Sequence, residues 1–459
     1  MSENGSNADG FDAGDFQEFL RRMMGGEGLP GGMGGLPFDP AMFDPAAFDP
    51  AMLGALFQQL QGIGGDPWEQ SLRRALHLAN KDDQGLTSGA RTSLADAFAL
   101  ANLWLGEATA ISELAETPTP MTRGEWVEKT MPAWREVATP VSTSIADALL
   151  SALEGQVPEE MSGLIDGAGG VMRGLSTSLF AAQLGTVIGN LSLEVVTGGD
   201  VSIPVLPAGT AAVIPQNFAV FGEGLEIPED QIALYLATRE LAYARLYRHA
   251  KWLRLHVMSQ IAEFAGGVSI DMSALEQVAE GLDLSNPEQL RAAIEGGALI
   301  PEQSPAQKEA LARLENLVAT IDGWVDVVTA QATERLPDRV RLAEASRRRR
   351  AAGGPAEDAL GALVGLKLRP RRLREASAMW QAVTDAVGVA DRDALWDYPD
   401  LMPQASDIDD PSALVARLQA RARGEEPQLD EMDEALARLL DGGLDAEGDG
   451  DDPAGGRPV

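Results

Sequence analysis

Residues 231–254 read QIALYLATRELAYARLYRHAKWLR and carry the strongest structural signal in the chain. Just upstream, Pro228, Glu229 and Asp230 give an acidic helix start, with proline at or before the first turn. Downstream, Ile232, Leu236, Leu246, Ala250, Leu253, Val257, Ile261 and Phe264 recur at helical spacing. That pattern predicts one amphipathic helix over 229–264. Two polar residues, Arg239 and Tyr243, interrupt the stripe at i and i+4. They therefore share one face and can act on one point. A buried guanidinium keeps its charge, so Arg239 needs a carboxylate partner.

The string Arg239-Glu240-Leu241-Ala242-Tyr243 falls in the frame of the zinc-peptidase motif HExxH. In that motif two imidazoles one helical turn apart converge on Zn²⁺, and the Glu activates a bound water. Only the Glu is kept in this sequence. His249 and His256 do not replace the lost imidazoles, because seven residues put them about 10 Å apart along a helix. His77, in a distant segment, reads as a surface or packing residue.

A second helix is predicted over 305–335. Ser304-Pro305-Ala306-Gln307 has the form of a capping box with proline at the first helical position. Leu311, Leu314, Val318, Ile321, Val325 and Val328 make its apolar stripe, and Glu315 and Asp322 lie on a neighbouring face. Gly323 inside a helix costs about 1 kcal/mol against Ala, which suggests close approach of another element, with a kink equally allowed.

Around these two helices the chain divides into three parts. Residues 1–66 are Gly-rich and contain FDPAM, FDPAA and FDPAM from Phe38, Phe43 and Phe48. Proline every fifth residue blocks long helices and strand ladders. Residues 1–70 hold eleven acids and two bases, a net of −9. Residues 424–459 hold twelve acids and two bases, a net of −10. Both ends are expected to be mostly disordered, and 67–423 is the expected globular domain. Within it SLRRALHLAN, TSLADAFALANLWLGEAT, GEWVEKTMPAWREV and STSIADALLSAL show helical spacing. SIPVLP and GTAAVIPQNFAVF, over 202–221, instead predict a small β hairpin or edge strand.

Composition excludes several function classes. With 36 Lys and Arg against 70 Asp and Glu, the chain of 459 residues carries −34, which disfavours nucleic acid. No Cys is present, so disulfides, thiolate nucleophiles and Cys-ligated metals are excluded. The uncharged stretch 174–193 contains Ser, Thr, Gln, Asn and Gly and reads as a buried core helix rather than a membrane span. No secretory signal pattern is seen, so the expected location is the cytoplasm. Gly26–Gly31 matches GxGxxG without a preceding strand, and 445–450 departs from a calcium loop at Glu447 and Gly456. Neither reads as a binding site. Arg347–Arg350, with Lys367, Arg369, Arg371, Arg372 and Arg374, reads as a helix end whose bases are solvated or ion-paired. Trp252 and Trp380 read as core residues.

Six segments together resemble a known family. They are LADAFALANLWLGEAT (94–109), AAVIPQNFAVF (211–221), the 231–254 stretch, IDGWVDVVT (321–329), GLKLRPRRLREASAMWQAV (365–383) and RDALWDYPDLMPQASDIDDP (392–411). The sequence resembles the actinobacterial zincin-like metallopeptidases, also labelled hydrolases or deazaflavin-cofactor-biosynthesis-associated proteins, over about 67–412. The resemblance implies a mainly α zincin-like domain in which an edge strand, here 211–221, receives extended peptide. By position it places Arg239 at the first His, Glu240 at the general base, Tyr243 at the second His and Asp322 at the acidic ligand. Arginine has no lone pair for a metal at neutral pH. The favoured expectation is therefore a non-catalytic relic with no cofactor, retaining a groove for a peptide or protein. In it Arg239 replaces the metal, forks onto Asp322 or Glu315, and Tyr243 donates to the same carboxylate. The alternatives are a zinc-dependent hydrolase using unusual ligands, such as Asp322 with another acid or a His, and a scaffold acting through its tails.

Overall fold

Every residue of the helix Glu229–His249 from Tyr235 to Leu246 is buried, polar and apolar alike, rather than one stripe. A helix covered on all sides is the centre of its fold. In this computed structural model the described residues are 66–425, except 82, 84, 155–161, 267–303, 352–356, 358, 362–365, 367, 369 and 370. All lie in the unit Gly64–Val459. The FDPA repeats, the GxGxxG string, the 445–450 segment, Lys367 and Arg369 lie outside the described residues.

We number the helices α1 Pro67–Ala79, α2 Ser88–Ala108, α3 Arg123–Glu154, α4 Ser162–Leu191, α5 Phe218–Gly222, α6 Glu229–His249, α7 Lys251–Gly266, α8 Pro305–Ala332, α9 Arg339–Ala351, α10 Leu373–Asp393, α11 Ala405–Asp409 and α12 Pro411–Ala422. The central α6 packs against α2 and α8, and α8 packs against α7 and α10. Outside this centre α4 lies along α1 and α3, so the uncharged stretch 174–193 lies, up to Leu191, in a packed helix. No helix among the described residues is long and apolar enough to cross a membrane.

Several expectations are corrected. The single helix over 229–264 is two, because Ala250 takes φ −85°, ψ 75° between α6 and α7. No Pro or Gly marks that break. The second predicted helix ends at Ala332. Two separately read segments, 124–137 and 142–153, form the continuous α3, which runs through Pro132 and Pro140. The Ser304 capping box forms as read, with Gln307 N donating to Ser304 Oγ at 3.2 Å and Ser304 N to Gln307 Oε1 at 3.0 Å.

The predicted hairpin shrinks to one antiparallel bridge, Thr197–Val213; no longer strand occurs among the described residues. Pro215–Asn217 is a 3₁₀ turn and 218–222 is α5. Prolines at 204, 207 and 215 remove the donors that a longer ladder needs. Residues 211–214 are fully buried. Gly198 N donates to Ala212 O, Ile214 N to Val196 O and Met121 N to Val213 O, at 3.0, 2.9 and 3.0 Å. This segment is an internal seam rather than an open edge.

Trp380 is buried as read. It stacks on Trp396 at 5.4 Å between centroids, and Trp324 meets Trp396 edge-on at 6.3 Å. Trp252 is half-buried and donates Nε1 to Trp396 O at 3.2 Å.

Candidate functional site

Three elements converge beside the seam: the face of α6 carrying Arg239, Glu240 and Tyr243, the middle of α8 with Asp322 and Asp326, and the C-terminal end of α9. The bridge segment with Asp200 closes the fourth side. Three of these acids, Asp326, Asp200 and Asp322, are paired with arginines from α6 and α9. Arg239 Nη1 lies 3.7 Å from Asp326 Oδ1, and Arg347 Nη2 lies 2.7 Å from Asp326 Oδ2. Arg349 Nε lies 3.6 Å from Asp200 Oδ2, and Arg350 Nη1 2.8 Å from Asp322 Oδ2. The last pair is almost dry, with side chains 6% and 0% exposed.

Arg350 is the hub that sequence reasoning missed. Its guanidinium donates to Tyr243 Oη at 2.6 Å, to Gly199 O at 2.6 Å and to Ser202 Oγ. Tyr243 also has two guanidinium carbons, of Arg239 and Arg350, each 5.5 Å from its ring centroid. Tyr243 accepts from an arginine, where a donation to the carboxylate was expected. Arg239, expected on Asp322 or Glu315, forms an ion pair with Asp326. The helix end read as a solvated face with internal ion pairs does form ion pairs, and it turns Arg350 inward. Arg348 is its exposed member, paired with Glu344 at 2.9 Å. Asp326, one turn beyond Asp322, was legible as a second acid on that face.

The electrostatics follow from burial. Burial pulls the Arg239 pKa down, but Tyr235, Asp322, Asp326 and Asp200 raise it above its usual value overall. Burial raises Asp322 despite Arg350 and Arg239. Neither Asp322 oxygen has an aligned hydrogen bond, and neither does Arg239 Nη1. The 2.8 Å contact of Asp322 with Arg350 is thus an ion pair without hydrogen-bond alignment.

Glu240 does something else again. Its Oε1 accepts from Ala212 N and its Oε2 from Gly199 N, both at 2.8 Å. It ties the two strands of the bridge to α6. A Cβ at Gly199 would stand 2.5 Å from the Tyr243 ring, so this close approach requires glycine. Burial pushes the Glu240 carboxyl up to about 7, against the lowering effect of the two amides.

The donor set does not fit zinc. Arg239 and Arg350 offer no lone pairs, Tyr243 Oη is held by Arg350, and both Glu240 oxygens accept amides. Among the described residues no group of three or more His, Asp or Glu is placed to hold a metal ion. His249 is exposed and pairs with Asp397 at 2.8 Å, His256 packs edge-on to Trp252 at 6.0 Å, and His77 is exposed.

Comparison with known proteins agrees with this architecture. A crystal structure described as a "putative hydrolase with a novel fold" from Chloroflexus aurantiacus superposes with a TM-score of 0.52 at 18% identity, covering 77% of this chain and 98% of that one. At that identity the likeness concerns the fold. No curated protein matches significantly. The family profile described as zincin-like metallopeptidase matches residues 67–415, about three quarters of the chain. The chain belongs to the zincin-like metallopeptidase family.

Proposed function

We propose that this protein is a non-catalytic relic of its family, in which arginines hold the seat of the metal and a cleft for a peptide or protein partner is retained. One observation carries the reading: the Arg350 guanidinium stands 2.8 Å from Asp322, the residue at the acidic-ligand position, and also holds Tyr243. A divalent ion beside two fixed guanidiniums would meet strong repulsion in a low-dielectric interior. Glu240, at the general-base position, serves as a clamp on the backbone, each of its oxygens accepting one amide N–H.

The alternative is a zinc hydrolase using Asp322 and other acids. It would require Arg350 to leave its four partners, Asp322, Tyr243, Gly199 and Ser202. Metal analysis of the full chain, purified without chelator, decides between them. The expected result is zinc far below one equivalent, unchanged in Asp322→Ala. Near-stoichiometric zinc that vanishes in Asp322→Ala would overturn the relic reading.

A further inference from the structure

Between the 198–210 segment and α6 lies a pocket walled by Ile203, Val205, Leu206 and Pro207 on one side and by Tyr243 and Tyr247 on the other. We propose that this pocket binds the C-terminal residue of a peptide, with a branched aliphatic side chain inside and the terminal carboxylate on Arg254. This rests on the reading above that the cleft takes peptide, and adds which part of a peptide it takes.

Size limits the side chain. The free interior has room for roughly three waters, which suits the side chain of Val, Leu or Ile and is too small for an indole. Chemistry orients it. At the inner end Glu240 has both oxygens bonded to backbone amides and Ser202 is held by Arg350, so a polar group would find little there. Arg254 of α7 supplies a cation on the wall. Its present partner is Glu136, at 2.7 Å, with side chains 33% and 48% exposed. A pair that wet is weak, so a ligand carboxylate can exchange with Glu136.

The backbone argues for a chain end rather than an added strand. Pro204 and Pro207 carry no N–H. Nearby, Val205 N is bonded to Ile203 O at 2.9 Å and Thr210 N to Pro207 O at 3.0 Å. The 211–214 seam is already paired. A strand laid along this rim would find few donors, whereas one side chain and one carboxylate find both a pocket and a cation.

The test is fluorescence polarisation of the full chain with three labelled tetrapeptides: Gly-Gly-Ala-Leu as free acid, the same peptide as C-terminal amide, and Gly-Gly-Ala-Trp as free acid. The leucine acid is expected to bind about tenfold tighter than its amide, the size of one charge-assisted hydrogen bond. The tryptophan acid should bind weakly. Arg254→Gln should abolish the acid–amide difference and leave the amide affinity unchanged. Glu136→Gln, which frees Arg254, should tighten only the acid. Equal affinity of acid and amide, or an acid preference that survives Arg254→Gln, overturns the inference and leaves the peptide-cleft reading standing. Failure of every peptide to bind overturns both. Cleavage of the peptide with zinc in the preparation overturns the non-catalytic reading alone.

Discussion

Arg350 and Glu240 show how burial sets the role of a single residue. Losing Arg350 strands Asp322 in a dry site, and breaking one side of a buried pair costs about 3–5 kcal/mol. Arg350→Met should lower unfolding free energy by that amount in urea titrations. The Arg350→Met/Asp322→Leu double variant should lose clearly less than the two single losses added; additive losses would show that the residues are not coupled. For Glu240, burial raises the pKa from 4.5 to about 7 in the folded chain. Below about pH 4.5 both states hold the proton and the group does not matter. As pH rises towards 7 the unfolded chain gives up its proton first, so stability falls, and above 7 the loss is complete at about 3 kcal/mol. Glu240→Gln should flatten this contribution between pH 5 and 8, as measured by urea midpoints, while weakening one amide bond at all pH values. The sharing of a face by Arg239 and Tyr243 was legible from their spacing. The identity of their partners was not, because nothing in four consecutive arginines says which one turns inward.

Helix α8 shows where local rules and packing disagree. Its start is fully local: Ser304, Pro305 and Gln307 specify a capping box without help from the rest of the chain. Gly323, by contrast, is a tertiary feature. A Cβ there would stand 2.8 Å from Ala376 C and Cβ and 2.9 Å from Ser377 N of α10. Helix propensity favours Ala by about 1 kcal/mol, but backbone so close leaves no room for a methyl. Gly323→Ala should therefore destabilise by about 1–3 kcal/mol, and a rise in melting temperature would refute the close approach. The sequence signal, a glycine inside a strong helical pattern, allowed a close neighbour and a kink equally and could not name α10. The break at Ala250 had no comparable signal, since the apolar spacing continues across it. The β-branched run over 202–221 failed as a hairpin because prolines and the Glu240 clamp satisfy its backbone differently.

The same logic of buried polar hubs operates across the molecule. Asp393 at the end of α10 accepts from Thr109 Oγ1 at 2.6 Å, Ala110 N at 2.8 Å, Trp324 Nε1 at 2.9 Å and Arg392 Nε at 2.7 Å. Arg392 in turn donates to Ala108 O at 2.8 Å and Gln331 Oε1 at 3.1 Å. One aspartate thereby fastens the C-terminal end of α2, the middle of α8 and the end of α10. Asp393→Ala leaves Arg392 buried without its carboxylate, and a loss of about 3–5 kcal/mol is expected. Hydrogen exchange should rise together at 105–111 and 320–332; a rise confined to 392–396 would contradict the shared fastening.

Composition and periodicity were enough to establish a cysteine-free, strongly acidic and mainly helical chain, with a helix carrying arginine and tyrosine on one face. Those properties follow from residue type and short spacing, which local physics reads directly. The pairing of Asp322 with Arg350, the engagement of Glu240 by two amides and the closure of the expected edge strand belong to the folded chain. They depend on groups brought together across long stretches of sequence, where burial, charge and backbone donors are matched in three dimensions and no local pattern records the match.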